Sequence, residues 1–383
     1  MHIAYLTPEY PHHKSSGSGG LGTSIKNLVH SLVNKGAIVT VFIYGQKEQL
    51  IFNEGGINFH FLKKRKYKFF GWLIYRKYIQ NYINRQIKNE GIEILEAPDW
   101  TGITALMNIT CPVVIRLNGS DAYFCHLEGR KQKWKNFFFE KRALRSADAI
   151  VSVSKFTGEV TGKIFGIPDP IPVIPNSLDV ESFSPSETRI VKNQLLYFGT
   201  LIRKKGVLEL AGIFNHIVLQ EPHAGLLLIG RDVIDNMEGE STLQLFREKL
   251  SVKAEQNLRY IPEVSYDEIK DHISASEVIL LPSFAEALPM TWLETMALEK
   301  PLVTSDIGWA KEVMVDGKTG FTENPANHKD YAGKVVQLLK NPVLAKKFGK
   351  SARQRVKEKF STQVVVEQNL KFYDKLIEEG KNA

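Results

Sequence analysis

The sequence predicts an α/β protein of two units, each a parallel sheet with crossover helices. Its 383 residues exceed what one hydrophobic core ordinarily holds and divide naturally into two domains. Short apolar runs alternate with longer amphipathic stretches along the chain, the pattern of strand–helix–strand units. The alternation breaks once, at the proline-rich segment Ile167-Pro168-Asp169-Pro170-Ile171-Pro172-Val173-Ile174-Pro175-Asn176, and then restarts. Residues 1–175 are therefore expected to form one domain and 176–362 a second.

In the first half, apolar runs at 3–7, 38–43, 57–61, 92–96, 113–117, 149–153 and 172–174 read as strands. Between them, 24–35 and 72–87 have helical spacing, and Trp72, Tyr75, Ile79, Tyr82, Ile83 and Ile87 share one face. In the second half the strand runs are 195–198, 225–229, 258–261, 278–281 and 301–304, again separated by helical segments. No sequence repeat relates the two halves. Residues 362–379 read as a terminal helix with Val366, Leu370, Tyr373 and Leu376 on one side.

Hydrophobic residues at 43% and charged residues at 24% describe a soluble globular chain, not a disordered or fibrous one. The opening run Met1-His2-Ile3-Ala4-Tyr5-Leu6 reaches Pro8-Glu9 too soon for a signal peptide. No stretch approaches the roughly 20 apolar residues of a membrane span. The two cysteines, Cys111 and Cys125, have neither metal-ligand spacing nor a disulfide framework. A cytoplasmic enzyme fits. The net charge of +8 is uneven: residues 1–175 hold 23 Lys and Arg against 13 Asp and Glu, or +10, and the remainder 27 against 29, or −2. The basic half is either a solvated face or the seat of an anionic partner.

Three motifs carry chemistry. Gly17-Ser18-Gly19-Gly20-Leu21-Gly22 matches the spacing of a dinucleotide fingerprint, but Pro8 to Ser16 separate it from the strand. The second strand also ends Ile43-Tyr44-Gly45, with no carboxylate for a ribose, which argues against a nicotinamide or flavin dehydrogenase. What remains is a glycine-rich loop opening a helix near residues 22–24, whose bare amides suit a phosphate. In Phe198-Gly199-Thr200-Leu201-Ile202-Arg203-Lys204-Lys205-Gly206, three cations follow the carboxyl end of a strand, where α/β sheets bind ligands. A diphosphate is met there bidentately by Arg and as a point charge by Lys, unless the loop is simply solvated. The third, Pro282-Ser283-Phe284-Ala285-Glu286-Ala287-Leu288-Pro289-Met290-Thr291-Trp292-Leu293-Glu294, sets two glutamates around a strand-to-helix turn. Pro289 suits a first helical turn and leaves the following amides for an anion. Glu294 would accept from a ribose diol and Glu286 from a sugar hydroxyl.

Together these motifs resemble the family 4 glycosyltransferases of GT-B fold. The resemblance also covers Asn118-Gly119-Ser120-Asp121, Val173-Ile174-Pro175-Asn176, Ser305-Asp306-Ile307-Gly308 and Asp316-Gly317-Lys318-Thr319-Gly320-Phe321, and so spans both halves. It implies two Rossmann-like domains facing across a cleft, with the helix at 363–383 returning to the N-terminal, acceptor-binding domain. The C-terminal domain is then the donor-nucleotide domain. Lys205 matches the family lysine that neutralises the departing diphosphate, and Glu294 the ribose-binding glutamate. Glu286, with Ala287, Leu288, Pro289 and Met290, matches the loop around the transferred sugar and distal phosphate. Gly19 and Gly20 would bring the N-terminal loop to the donor across the cleft, and Gly199 and Asn118 belong to the same site. Two positions depart from the family. Thr200 stands where arginine is usual, with Arg203 near enough in sequence to supply that charge. Asn118 stands where histidine is common, and asparagine cannot titrate.

The resemblance implies a retaining, metal-independent hexosyltransferase that moves sugar from a nucleoside diphosphate sugar, UDP- or GDP-linked, to a hydroxyl of a glycan or lipid-linked acceptor. The route would be cell-surface polysaccharide or glycolipid synthesis. Lys205, Arg203 and the amides near Met290 take the place of a metal, and no cofactor beyond the donor is expected. The leaving phosphate would take the acceptor's proton, with Asp121 the candidate among side chains. The basic and aromatic stretches Lys63-Lys64-Arg65-Lys66-Tyr67-Lys68-Phe69-Phe70-Gly71-Trp72 and 129–145 suit an anionic bilayer at the inner face of the cell membrane, or a soluble glycan. No nucleic-acid module accompanies them. Thr200 and Asn118 motivate one alternative, a non-catalytic sugar-nucleotide-binding or scaffold protein of the same fold.

Overall fold

A computed structural model describes residues 1–15 and 17–381. Ser16 of the glycine-loop approach, and residues 382 and 383 of the expected terminal segment, lie outside them. The chain divides into two units, Met1–Ser177 with Ser361–Ala383, and Leu178–Phe360. The observed divisions fall at 177/178 and 360/361, against 175/176 and 362/363 from the sequence.

Unit 1 runs β1 (His2–Thr7), α1 (Gly20–Asn34), β2 (Ile38–Gln46), β3 (Leu50–Glu54), β4 (Ile57–Lys63), α2 (Gly71–Glu90), β5 (Ile94–Pro98), β6 (Val113–Leu117), α3 (Asp121–Leu127), α4 (Trp134–Arg145), β7 (Ala149–Ser152) and α5 (Lys155–Phe165). Its sheet has the order β3-β4-β2-β1-β5-β6-β7, parallel except for β3. The central strands are buried on both faces, hence their continuous apolar runs rather than alternation. In α1, Ile25, Leu28, Val29 and Leu32 recur at helical spacing and pack on β1 and β2. In α2 the buried apolar residues are Ile79 and Ile83, while Leu73 and Ile74 are exposed.

Three strand expectations change, the unanticipated two-residue strand at Phe321–Thr322 among them. β3 was not anticipated; it pairs antiparallel with β4 through Gly55 and Gly56, both with positive φ, which is the backbone a two-residue hairpin of this hand requires. The run at 172–174 is not a strand but one parallel bridge, Ser152 to Val173, because Pro172 has no N–H to extend the ladder.

Unit 2 runs β8 (Gln194–Phe198), α6 (Val207–Gln220), β9 (Gly225–Ile229), α7 (Thr242–Glu248), α8 (Val252–Gln256), β10 (Leu258–Ile261), α9 (Ile269–Ala275), β11 (Val278–Leu281), α10 (Met290–Ala297), β12 (Leu302–Thr304), α11 (Ala310–Val313), β13 (Phe321–Thr322), α12 (His328–Lys340) and α13 (Pro342–Lys359). The sheet is wholly parallel, in the order β10-β9-β8-β11-β12-β13. β8 and β11 are neighbours, so the loop after β8 with its cations and the loop after β11 with Glu286, which leads into the helix carrying Glu294, meet at the carboxyl edge of the sheet.

The terminal helix α14 (Thr362–Lys381) returns to unit 1 and buries Val365, Val366 and Tyr373 beside Ile3, Val29 and Leu32. A buried polar cluster fixes it. Arg116 donates through Nε and Nη2 to Glu96, at 2.6 and 3.0 Å, and through Nη2 to Asn369 Oδ1 at 2.6 Å. Tyr373 donates to Glu96 at 2.7 Å. Each of these groups is nearly inaccessible to water, so removing one partner strands the others.

Candidate active site

The cationic loop of unit 2 is shaped by glycine. Gly199 follows β8 with φ +134, and Gly206 precedes α6 with φ +70. A Cβ on Gly206 would lie 1.8 Å from the Pro282 carbonyl oxygen, so only glycine lets this loop close onto the β11 loop. The backbone completes the junction: Phe284 N–H and Ala285 N–H both donate to the Lys204 carbonyl, at 2.8 and 3.2 Å.

That junction brings Lys205 and Glu286 together. Lys205 Nζ lies 3.0 Å from Glu286 Oε1, which also accepts from Ser283 Oγ at 3.1 Å. Arg203 turns to another partner. Its Nε and Nη2 each reach Asp235, at 2.9 Å, with Glu238 at 3.5 Å. Asp235 is buried and also accepts from the N–H groups of Met237 and Glu238. The Arg203 guanidinium holds its carboxyl down at about 2. Thr200, in the position where the family has arginine, offers its carbonyl to the Tyr197 hydroxyl at 3.2 Å.

Pro289 caps α10 from outside rather than filling its first turn, and Ala287, Leu288 and Met290 around it are buried. Glu294 lies in α10 and is 4% exposed. Burial pushes its carboxyl up to about 7, against the hydrogen bond from Tyr266 and the charge of Lys205. Lys205, Glu286 and Glu294 thus form one electrostatic group, with Gly199 and residues 287–290 on the loops that carry it.

The remaining candidates sit in unit 1. Gly19 is the N-cap of α1 and Gly20 its first residue, but two amides of this loop are already engaged. Glu9 Oε1 accepts from Gly19 N–H at 2.9 Å and from Gly22 N–H at 2.8 Å, an internal carboxylate at the positive end of the helix. Asn118 follows β6 and donates its N–H to Asp99 Oδ1 at 3.1 Å. Asp121 opens α3 and is engaged by Asn136 Nδ2 at 3.0 Å and Arg130 Nη2 at 3.6 Å. Behind them Glu140, fully buried, accepts from Thr101, Asp121 and Ala122 N–H groups. Burial, reinforced by Glu140, pushes Asp99 up to about 8, and among the described residues its Oδ2 meets no hydrogen-bond donor.

Sequence reasoning missed Glu9, Asp99, Glu140, Asp235 and Tyr266. Glu9 and Asp99 stand at the carboxyl ends of β1 and β5, a position that signals ligand-facing loops in α/β sheets. The others carry no local signal. Among the described residues no group of three or more His, Cys, Asp and Glu side chains could hold a metal ion.

Residues 18–182 match the family described as Glycosyltransferase Family 4, and residues 181–355 that described as Glycosyl transferases group 1. The chain belongs to the family 4 glycosyltransferases. The chain is 35% identical to the trehalose synthase of Thermococcus litoralis over 160 residues, 41% of the chain but only 38% of that protein. It is 29% identical over 185 residues to the Staphylococcus aureus capsular polysaccharide biosynthesis glycosyltransferase CapM, covering 48% of the chain and 47% of CapM. In fold it is similar to Anabaena HepE, solved in complex with UDP and glucose, with a TM-score of 0.74 at 15% identity over 98% of the chain and 100% of HepE. The chain therefore has the two-domain α/β GT-B fold.

Proposed function

We propose that this glycosyltransferase moves a hexosyl group from a nucleoside diphosphate sugar to an acceptor hydroxyl, retaining anomeric configuration and without a metal. The observation that carries the reading is the meeting of Lys205, Glu286 and Glu294 where the β8 and β11 loops join. Glu294 takes the ribose diol. Lys205 takes the diphosphate and stabilises the charge that builds on it as the bond from the anomeric carbon to phosphate oxygen breaks. The acceptor oxygen bonds to that carbon on the face the phosphate leaves, and its proton passes to the departing phosphate. Arg203, anchored on Asp235, fixes the loop that presents Lys205 and adds positive charge beside it. Glu286 accepts from the sugar, and the amides after Pro289 meet the distal phosphate. No cofactor beyond the donor is required. UDP or GDP donors suit this reading, HepE having been solved with UDP and glucose, and a glycan or lipid-linked acceptor suits it too, CapM being a capsular polysaccharide biosynthesis glycosyltransferase.

The acceptor would bind unit 1. There, Phe69 and Trp134 are 76% and 80% exposed, and Phe70, Leu73, Ile74 and Phe138 are also exposed. Lys135 Nζ lies 5.2 Å from the Trp72 ring, which joins the two basic-aromatic stretches into one patch. Rings and cations on one surface suit the headgroup level of an anionic membrane. None of the described helices is long and apolar enough to cross a membrane.

A thermal-shift screen of UDP, GDP and ADP sugars tests the reading, because a bound donor stabilises by mass action. One donor class should raise the melting temperature, and transfer from it should persist in EDTA. A chain that no sugar nucleotide stabilises would refute the proposal. Thr200, with Arg203 committed to Asp235, favours the non-catalytic alternative. Binding without release of nucleoside diphosphate in a single turnover would decide for it.

A further inference from the structure

We propose that Tyr266 is a positioning residue for the nucleotide site: its phenol holds one oxygen of Glu294 and leaves the other to accept from a ribose diol. The inference rests on the donor-binding role proposed for Glu294. Tyr266 precedes α9, at the turn after β10, and its hydroxyl donates to Glu294 Oε1 at 2.9 Å. Its ring is held edge-on against Phe183, with centroids 5.6 Å apart, and Phe183 is itself buried. The phenol is therefore fixed before any ligand arrives, and the carboxylate it holds gains a defined orientation without an ordering cost at binding.

The contact also sets the charge of Glu294. Burial alone favours the neutral acid, which offers a ribose one acceptor fewer. The Tyr266 hydroxyl and the Lys205 ammonium are the two groups that pull the carboxyl back to about 7. Lys205 divides its charge with Glu286, while burial and the Glu294 carboxylate itself, with the charges of Asp267 and Asp179 adding to them, keep the Tyr266 proton in place. The phenol thus remains a donor across the neutral range.

The test is calorimetric titration of UDP, GDP, ADP and inorganic pyrophosphate into the full chain, as wild type, Tyr266→Phe and Glu294→Gln, between pH 6 and 9. Wild-type affinity for the nucleotide that binds should rise as pH passes about 7. In Tyr266→Phe the rise should move to higher pH. At pH 7 affinity should fall roughly three- to tenfold, the range of a lost hydrogen bond with a raised carboxyl behind it. By pH 9 the deficit should shrink to under about threefold, since Glu294 is then ionised in both proteins. Titration of the ligand's own phosphate cancels in the ratio of the two proteins, and pyrophosphate affinity should be equal. A Tyr266→Phe protein that tracks wild type at every pH would overturn the inference, as would a deficit of one size throughout. If Glu294→Gln binds every nucleotide as wild type does, the ribose role itself is wrong.

Discussion

Replacing Glu286 by Gln should tighten the binding of a nucleoside diphosphate while lowering sugar transfer. A diphosphate that takes Lys205 competes with the carboxylate already 3.0 Å from it. The pair is only partly solvated, the side chains being 22% and 13% exposed, so the competition is not screened away. Glutamine keeps a carbonyl oxygen in place of Oε1 but not its charge. A hydrogen bond to an ionised partner pair is worth about 1.5–3 kcal/mol and a weaker one about 0.5–1.5 kcal/mol. The difference of about 1–1.5 kcal/mol passes to the incoming phosphate, roughly five- to twelvefold in affinity. Transfer should nevertheless fall, because Glu286 is the group proposed to hold the sugar. Calorimetric titration of UDP and GDP, beside a transfer assay with the stabilising donor, measures both effects. Unchanged or weaker nucleotide binding in Glu286→Gln would show that Lys205 does not exchange one anion for the other.

Three further outcomes follow from the same geometry. Lys205→Ala should slow transfer by on the order of 10²-fold, as loss of a preorganised charge at a developing anion does; a rate within threefold of wild type would remove Lys205 from the mechanism. Asp99→Asn should become progressively more stable than wild type as pH rises. The folded protein keeps the Asp99 proton up to about 8 while the unfolded chain releases it near its ordinary 3.8, a loss for wild type of at most about 1.4 kcal/mol per pH unit in between. Urea unfolding at pH 5 and 8 that shows a constant gap would contradict the buried, protonated carboxyl. Reversing Lys63, Lys64, Arg65 and Lys66 to Glu should abolish sedimentation with anionic liposomes, each cation contributing about 1 kcal/mol at low salt. Wild-type protein that ignores such vesicles would leave the patch to a soluble anionic acceptor.

The fold was readable because most strands announce themselves locally. Runs such as Val113–Leu117 and Val278–Leu281 are continuous apolar segments of strand length between helical periods, and parallel sheets demand such runs. β3 escaped because Leu50–Glu54 is an exposed edge strand with little apolar periodicity, although the Gly55-Gly56 turn beside it was a usable signal. β13 escaped because two residues carry no period.

The loops were readable in kind but not in pairing. Glycine at 199 and 206, the run of cations and the glutamates at 286 and 294 mark the candidate site in the sequence, since these depend on backbone freedom and charge within a few positions. Whom each meets was a matter of sheet order. Because β8 lies between β9 and β11, Lys205 reaches Glu286 on one neighbour's loop while Arg203 reaches Asp235 on the other's. Glu9 likewise settles on amides of the glycine loop, and Tyr266 on Glu294, only through the packing of separate elements. The sequence by itself determined two parallel α/β units, the glycine and cation loops and the paired glutamates, because periodicity and turn chemistry act over short spans. The tertiary structure decided which charges are neutralised, which carboxyls are pushed up by burial, and which cation stands with Glu286, because those depend on distances and desolvation between residues far apart in the chain.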